Sequence, residues 1–269
     1  MTLVLGTNIG SMFAIMTSDT ARCRAFRMFN HETGEWEKLG EPTPLPGVRD
    51  IKSYKLSEKV LVGTAGDSDL SDRIVSELMF YVNVGYDLAE CKDALAKLIA
   101  DTRIRERETS ETGTSLLDSQ DSVAVFLNGF YHGGETGFVI FTAGKGEEVN
   151  EFKNEPGHYQ HHMLTPGSGY FEDVGQSLLD LPELYDESRY EGLTAQEEYN
   201  LTYETIRKQM WMTHGIASFS NPGEVSTDFV YHILINDGGE IKHITEEAES
   251  APVHDIILAK HAEQKATKE

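Results

Sequence analysis

Apolar residues near the start of the chain are grouped in short runs that turn residues separate. Two apolar, β-favouring runs, residues 2–9 and 12–16, are joined by turn residues and predict a hairpin at the N-terminal end. A second predicted hairpin pairs residues 51–56 with residues 60–65 across a short polar turn. A glycine turn at residues 63–67 then leads into a different period.

Two amphipathic helices are predicted after this turn, because apolar side chains recur there every three or four residues. Asp69 or Ser71 is the predicted N-cap of the first helix, and Gly85 is predicted to end it. The second helix is predicted to begin near Asp87. Since only a few residues join the two helices, we expect them to pack antiparallel.

The second half of the chain again places strands before helices. Strands are predicted at residues 123–130, 137–142 and near 161–164, and a last hairpin joins residues 228–235 to residues 240–244. Between them, one helix is predicted through residues 174–179.

The strongest helix signal begins at Thr194 and Glu197, which have the spacing of a capping box. The stripe of this helix consists of Tyr199, Tyr203, Ile206, Met210 and Thr213. With Trp211, these aromatic side chains are predicted to form core or subunit contacts rather than a ligand platform.

Segregated runs of strands and helices predict an α+β protein. Two antiparallel sheets packed face to face between two helix layers, a four-layer αββα sandwich, would bury the apolar face of every element. We expect a single domain over residues 1–250, with insertions near residues 30–48 and 181–193 and a polar tail at residues 251–269. The first insertion carries three prolines and three glycines, which predicts a surface excursion with little structure of its own.

The amino-acid composition argues against some classes of protein but does not identify the function. Apolar residues make up 39% of the 269 positions and charged residues 25%, the balance of a soluble globular protein. Acidic side chains number 45 against 23 basic ones, and the net charge of −22 would repel nucleic acid. No stretch predicts export or a membrane span, so a cytoplasmic protein is expected.

No metal or other cofactor is predicted. The two cysteines, Cys23 and Cys91, lie too far apart in sequence to suggest a metal site and fit a reducing compartment. His158, His161 and His162 are close together but lack a matching carboxylate motif. The glycine turn at residues 63–67 lacks the lysine and hydroxyl spacing of a phosphate-binding loop.

Thr2 is the residue with the most informative chemistry. Initiator methionine is normally removed before a small side chain, and Thr2 would then carry a hydroxyl nucleophile beside a free α-amine. An α-amine has an unperturbed pKa of about 7.7 to 8.0 and can act as a general base near neutrality. Such a threonine needs a nearby cation, with a carboxylate to hold it, and Lys52 and Asp19 fit those roles.

The segment from Lys52 to Leu78, KSYKLSEKVLVGTAGDSDLSDRIVSEL, is similar to proteasome β subunits and to bacterial proteasome-like ring peptidases, which are N-terminal-nucleophile (Ntn) hydrolases. The later glycine turn around Ser168 resembles the active-site serine turn of that family. The resemblance implies roles for five residues. Thr2 would be the nucleophile, Lys52 the cation that lowers its pKa, Asp19 the partner of that lysine, Gly63 a backbone oxyanion donor and Ser168 a support near the amine.

Two alignments stay open at this point. Asp19 matches the family aspartate only if one residue is inserted before it, as a bulge in the strand, and otherwise Ser18 takes the position. Asp50 similarly competes with Lys52. The second aspartate of the family has no clear match before the strand at Asp228, where Ser218, Ser220 and Asn221 occur instead.

The resemblance implies a threonine-dependent peptidase or amide hydrolase that acts on peptides or unfolded proteins. It also implies a homo-oligomeric ring with an ATP-dependent unfoldase as partner. Two alternatives remain: a catalytically silent, proteasome-like assembly or scaffold protein, and a small-amide hydrolase with the same fold.

Overall fold

The described part of the chain folds around two five-stranded antiparallel sheets. The computed structural model describes residues 2–30, 35–119, 123–143, 149–154, 159–164, 191–220 and 224–250. The elements of these residues, in chain order, are β1 (Val4–Ile9), β2 (Phe13–Asp19), β3 (Ala21–Asn30), β4 (Glu35–Arg49), β5 (Ser53–Lys55), β6 (Val60–Gly66), α1 (Ser68–Tyr81), α2 (Leu88–Thr109), a short 3-10 turn (Leu116–Asp118), β7 (Val123–Phe130), β8 (Thr136–Thr142), β9 (Asn150–Lys153), β10 (Tyr159–Leu164), α3 (Ala195–Ser220), β11 (Asp228–Asp237) and β12 (Glu240–Glu249).

The first sheet, sheet 1, has the strand order β10-β1-β2-β11-β12, and the second, sheet 2, has the order β5-β6-β7-β8-β9. Neighbouring strands are antiparallel in both sheets. The predicted α+β class is therefore confirmed, as are the hairpins at the start of the chain, around residue 58 and after residue 228. The short strand β9 was not predicted.

Alternate side chains of the two sheets meet in a shared core. Val4, Ala14 and Met16 of sheet 1 belong to one buried cluster with Leu61 and Phe126 of sheet 2. Successive residues of a strand point to opposite faces, so this cluster uses one face of each sheet and leaves the other face of each for helices.

Helices α1 and α2 cover the outer face of sheet 2. Their apolar stripes, which include Ile74 and Leu95, pack on Val62 and Val125. The predicted caps Asp69 and Ser71 were wrong. Asp67 is the N-cap of α1, because its side chain accepts a hydrogen bond from the Leu70 N–H. The N-cap thus lies two residues before Asp69 and four before Ser71, directly at the end of the predicted glycine turn.

The start of α2 is confirmed. Asp87 caps the helix and forms a capping box with Glu90, and this satisfies two backbone groups that would otherwise lack partners. Helix α1 ends at Tyr81, before the predicted stop at Gly85.

Helix α3 packs on the outer face of sheet 1. Ile206, Met210 and Ala217 share a buried cluster with Ile15 and Phe229 of the sheet. Tyr199 and Tyr203 stack on Phe13, with ring centroids 4.4 and 4.9 Å apart. The capping box of Thr194 and Glu197 is present, and the predicted core role of the two tyrosines is confirmed.

Residues 30–48 differ from the prediction, since β3 and β4 form a two-stranded antiparallel ribbon instead of an unstructured excursion. Pro42, Pro44 and Pro46 lie two residues apart, so all three lack an N–H on the same edge of the strand, as an edge strand tolerates. The register also shifts between Ala21 and Cys23 and between Arg24 and Phe26. These shifts take up the extra residues of β4.

Three predictions fall on residues outside the described ranges: the helix at 174–179, nearly all of the insertion at 181–193 and the tail at 251–269. The domain boundaries stay predictions. Among the described residues, no helix is long and apolar enough to cross a membrane.

Candidate active site

A buried ion pair joins the two sheets at the end of β2. The Lys52 Nζ lies 3.0 Å from Oδ1 and 3.1 Å from Oδ2 of Asp19. The side chain of Asp19 is 0% exposed and that of Lys52 is 7% exposed. Asp19 is the last residue of β2, and Lys52 directly precedes β5. The end of β2 in sheet 1 and the start of β5 in sheet 2 therefore lie side by side and bring the two charges together.

Backbone donors hold the Asp19 carboxylate in place. The Leu3 N–H donates to Oδ1 at 2.8 Å, and the Ala21 N–H donates to Oδ2 at 2.9 Å. The Asp19 N–H in turn donates to the Leu3 carbonyl at 3.1 Å. Hydrogen bonds to an ionised carboxylate are short and strong, so the aspartate fixes both the lysine and the backbone beside Thr2.

Of the alternatives Ser18 and Asp19, the structure brings Asp19 to the lysine. The Ser18 Oγ instead lies 2.7 Å from the Ser53 Oγ, in a hydrogen bond between the sheets. The expected bulge is absent, because β2 pairs with β1 and β11 in continuous register. Lys52 reaches Asp19 from sheet 2 without any slip of the strand.

Thr2 lies at a cleft beside this pair and is only 7% exposed. The cleft is lined in part by Thr2, Asp50, Lys52, Thr64, Gly66 and Asp72. Thr2 and Lys52, which the sequence assigned to one site, therefore line one cavity.

Asp50 and Lys52 both line the cleft, so their positions alone do not decide which of them takes the role that the resemblance gives to a lysine. Burial raises the pKa of Asp50, while the positive charges of Arg22 and Lys52 oppose that rise. Arg22 also binds Asp69 of α1 at 3.0 Å. Asp50 carries the wrong charge to replace Lys52, and it adds a second carboxylate to the cleft.

Gly63 lies inside sheet 2, away from the cleft lining. A Cβ at this position would meet Val4 Cγ1 at 2.7 Å and Met16 Sδ at 2.9 Å. The Thr64 N–H donates to the Lys52 carbonyl on the β5 edge, so the Gly63 N–H faces the opposite edge, toward β7. N–H directions alternate along a strand, so the N–H of Gly66, two residues after Thr64, points to the same edge as the N–H of Thr64. Gly66 lines the cleft.

His214 is a neighbour of the ion pair that sequence reasoning missed. It projects from α3, is 0% exposed, stacks on Phe229 at 4.2 Å, and its Nε2 lies 2.8 Å from the Thr17 Oγ1. Burial, with a smaller contribution from the Lys52 charge, lowers the pKa of His214 to about 3. Its position four residues after Met210, on the buried stripe of α3, was the available signal.

Ser168 and Asn221 lie outside the described residues, and Ser218 is buried near the end of α3. Within the described ranges, no group of three or more histidine, cysteine, aspartate or glutamate side chains is placed to hold a metal ion.

Comparisons with known proteins give a structural relative and no sequence relative. No protein-family model and no curated protein matches the chain. Its fold matches 471 chains of solved structures. One is the Anbu (Gly-1) mutant from Hyphomicrobium sp. strain MC1, with a TM-score of 0.55 and 10% identity over 100% of this chain and 97% of that one. Anbu is a proteasome-like protein of the Ntn type, so the predicted resemblance is confirmed at the level of the fold.

Proposed function

We propose that this chain is an amide hydrolase of the proteasome-like type, with Thr2 as its N-terminal nucleophile once Met1 is removed. The observation that carries the proposal is the buried pair of Lys52 and Asp19 at the cleft that Thr2 lines. A buried ion pair contributes little net stability compared with apolar residues of similar size. Its presence at a cleft therefore favours a chemical role.

In the proposed reaction, the Thr2 hydroxyl oxygen attacks a peptide carbonyl carbon while the α-amine of Thr2 accepts the hydroxyl proton. The ammonium of Lys52 stabilises the developing alkoxide and disfavours protonation of the α-amine. When the C–N bond breaks, the departing amine takes that proton, and an ester to Thr2 remains. Water then hydrolyses the ester, with the α-amine again acting as base.

A backbone N–H of β6 is the proposed oxyanion donor. The resemblance assigns this role to Gly63, whereas the direction of its N–H and the cleft lining favour Gly66. Ser168 remains the proposed support near the amine.

We also propose that the two sheets and their helix layers form the four-layer αββα sandwich of Ntn hydrolases, in one domain. By extension from the fold, the protein would act in the cytoplasm as a homo-oligomer on peptides or unfolded proteins, delivered by an ATP-dependent unfoldase. These finer statements depend on the resemblance alone.

A catalytically silent assembly protein is the second candidate. The position of Gly63 within the sheet favours it, because the family's oxyanion donor then lies away from the cleft. A silent protein would keep the buried pair as a structural link between the sheets.

Intact-mass measurement and fluorogenic peptide hydrolysis test the proposal. We expect the purified protein to lack Met1, and we expect Thr2→Ala and Lys52→Ala to abolish hydrolysis. Thr64→Ala, which changes a cleft residue without an assigned role, is the matched control and should retain activity. Equal background hydrolysis by the native protein and both variants, or a retained Met1 in an active protein, would refute the threonine mechanism.

A further inference from the structure

The cleft beside Thr2 is lined mainly by polar side chains. Ser68 and Ser71 of α1 add two hydroxyl groups to the lining described above, and Ile51 and Ala65 are its apolar members. An apolar side chain of a substrate would meet hydroxyl and carboxylate groups there, and it would deprive them of water without offering them hydrogen bonds. The cleft therefore suits a polar group of a substrate.

Asp50 is a buried charge at this cleft without a hydrogen-bond partner. The residue is 8% exposed, and among the described residues no N–H or O–H group donates to its carboxylate. Only its backbone is bound, because the Asp50 N–H donates to the Thr20 carbonyl at 2.9 Å. A buried carboxylate without a partner destabilises a fold, so its retention at a cleft favours a partner supplied by a ligand.

Ser71 is a second buried polar group that lines the same cleft. It is 5% exposed, and its Oγ has no hydrogen-bond partner in the part of the chain that the structure describes. Most buried hydroxyl groups in proteins are hydrogen-bonded. Asp50 and Ser71 come from different elements, and both can accept hydrogen bonds from one donor group in the cleft.

Carboxylates outnumber the available basic groups around Asp50. Lys52 is occupied by its own ion pair, and Arg22 Nη2 lies 3.0 Å from Oδ1 of Asp69 and 3.9 Å from Oδ2 of Asp72. The side chain of Asp72 is 50% exposed, which places it at the rim of the cleft. Three carboxylates thus share one guanidinium, and the surplus of negative charge attracts a further cation.

The spacing of these groups favours an organic cation over a metal ion. Within the described ranges, no group of three or more acidic, histidine or cysteine side chains is placed to hold a metal. A lysine ammonium carries three N–H donors and an arginine guanidinium carries five. Such a group can bind a carboxylate and a hydroxyl at the same time, and a guanidinium matches the two oxygens of a carboxylate.

The position of the cleft indicates which residue of a substrate would enter it. In the proposed reaction, the attacked carbonyl lies between the Thr2 hydroxyl and the Gly66 N–H, and both of these residues line the cleft. The side chain closest to the cleft is therefore that of the residue that carries this carbonyl, on the acyl side of the bond.

We propose that the cleft selects basic peptides, with Asp50 and the Ser71 hydroxyl binding the guanidinium or ammonium of an arginine or lysine on the acyl side of the cleaved bond. Asp72 at the rim attracts the same cation. This inference rests on the proposed hydrolase and names its substrate class.

Fluorogenic peptides that differ only in the residue before the leaving dye test this selectivity. The native protein should cleave the arginine peptide with a kcat/KM about tenfold or more above that of the leucine peptide. Asp50→Asn keeps the shape of the side chain and removes its charge. It should lower kcat/KM for the arginine peptide about tenfold to a hundredfold, the strength of a hydrogen bond to a charged group, and leave the leucine peptide nearly unchanged. Ser71→Ala should act in the same direction, which covers the case in which Asp50→Asn misfolds.

Asp93→Asn is the matched control, because it removes the same charge at an exposed position on α2 away from the cleft. It should cleave both peptides like the native protein. Thermal unfolding separates recognition from a structural role. Asp50→Asn should not lower Tm, since it removes an unpaired buried charge. A merely structural Asp50 would instead show a lower Tm and an equal loss on both peptides.

Binding without turnover distinguishes this inference from the proposed function. N-acetyl-arginine amide, with N-acetyl-norleucine amide as the neutral probe, is titrated into the full chain and followed by NMR. The arginine probe should bind the native protein about tenfold more tightly than it binds Asp50→Asn. An inactive protein that binds this probe through Asp50 would sink only the hydrolase.

Three results with an active protein would overturn only the selectivity: equal cleavage of the arginine and leucine peptides, an arginine preference that persists in Asp50→Asn, or an equal loss on both peptides in that variant. A protein that neither cleaves the peptides nor binds the arginine probe would overturn both proposals.

Discussion

Replacement of Lys52 by methionine tests the buried ion pair directly. Methionine keeps the length of the side chain and removes the ammonium, so the Asp19 carboxylate stays behind at 0% exposure. Removing one partner of a buried pair destabilises a protein by about 3 to 5 kcal/mol. The N–H groups of Leu3 and Ala21 continue to bind the carboxylate, and each such bond is worth about 1.5 to 3 kcal/mol, so we expect the lower end, about 3 kcal/mol.

Urea unfolding followed by circular dichroism and tryptophan fluorescence measures this loss. Lys92→Met is the matched control, because Lys92 binds Glu151 at 2.6 Å with both side chains about a quarter exposed, at 27% and 26%. An exposed pair contributes about 0.2 to 1 kcal/mol. Lys52→Met should therefore lower the free energy of unfolding several times more than Lys92→Met does.

A double-mutant cycle with Asp19→Asn completes the test. If the two charges interact as the structure indicates, the loss in Lys52→Met/Asp19→Asn should be smaller than the sum of the single losses by about 2 kcal/mol, within the range for residues in contact. Additive effects, or a Lys52→Met loss no larger than that of Lys92→Met, would refute a buried pair at this position.

Three further substitutions test other parts of the fold. Gly129→Ala should destabilise the protein by about 1 to 3 kcal/mol in thermal unfolding, because a Cβ there would meet the Lys59 carbonyl oxygen at 2.2 Å, whereas Gly85→Ala, with nothing within 4 Å, should be close to neutral. Asp87→Ala removes the cap of α2 and should lower stability by about 1 kcal/mol, while no loss in urea unfolding would contradict the capping box. The native state keeps His214 neutral, since its pKa falls from 6.5 to about 3, so its contribution to stability is present above pH 6.5 and is lost as the pH falls toward 3. Between pH 7 and pH 5 the native protein should lose about 2 kcal/mol more than His214→Gln does, and parallel pH profiles would show that His214 is protonated in the fold.

Local signals were enough to place most elements. The apolar, β-favouring runs of β1, β2, β6 and β7 and the capping box at Asp87 are encoded within a few residues, and the structure follows them. The pairing of Asp19 with Lys52 was also foreseen, because the resemblance supplied a chemical reason to join residues 33 positions apart.

Features that depend on distant contacts were not foreseen. Three prolines suggested an irregular segment. Because they lie two residues apart, they remove N–H donors from only one edge of β4, and the other edge is free to pair with β3. The stripe of α3 signals that His214 is buried but not that it lies near Lys52, because that position arises from the packing of α3 on sheet 1. The direction of the Gly63 N–H depended on the register with β5, which a single strand does not reveal.

The strand order of sheet 1 determines which parts of the molecule can fold first. Residue 19 pairs with residue 229 near the far end of the chain, whereas the strands of sheet 2 all come from residues 53–153. Contacts between distant residues form slowly, and β11 and β12 leave the ribosome after every strand of sheet 2. Sheet 2 and its helices can thus fold on the nascent chain, and the first hairpin must wait for its neighbour. The cleft, which needs both sheets, is accordingly expected to form later than sheet 2.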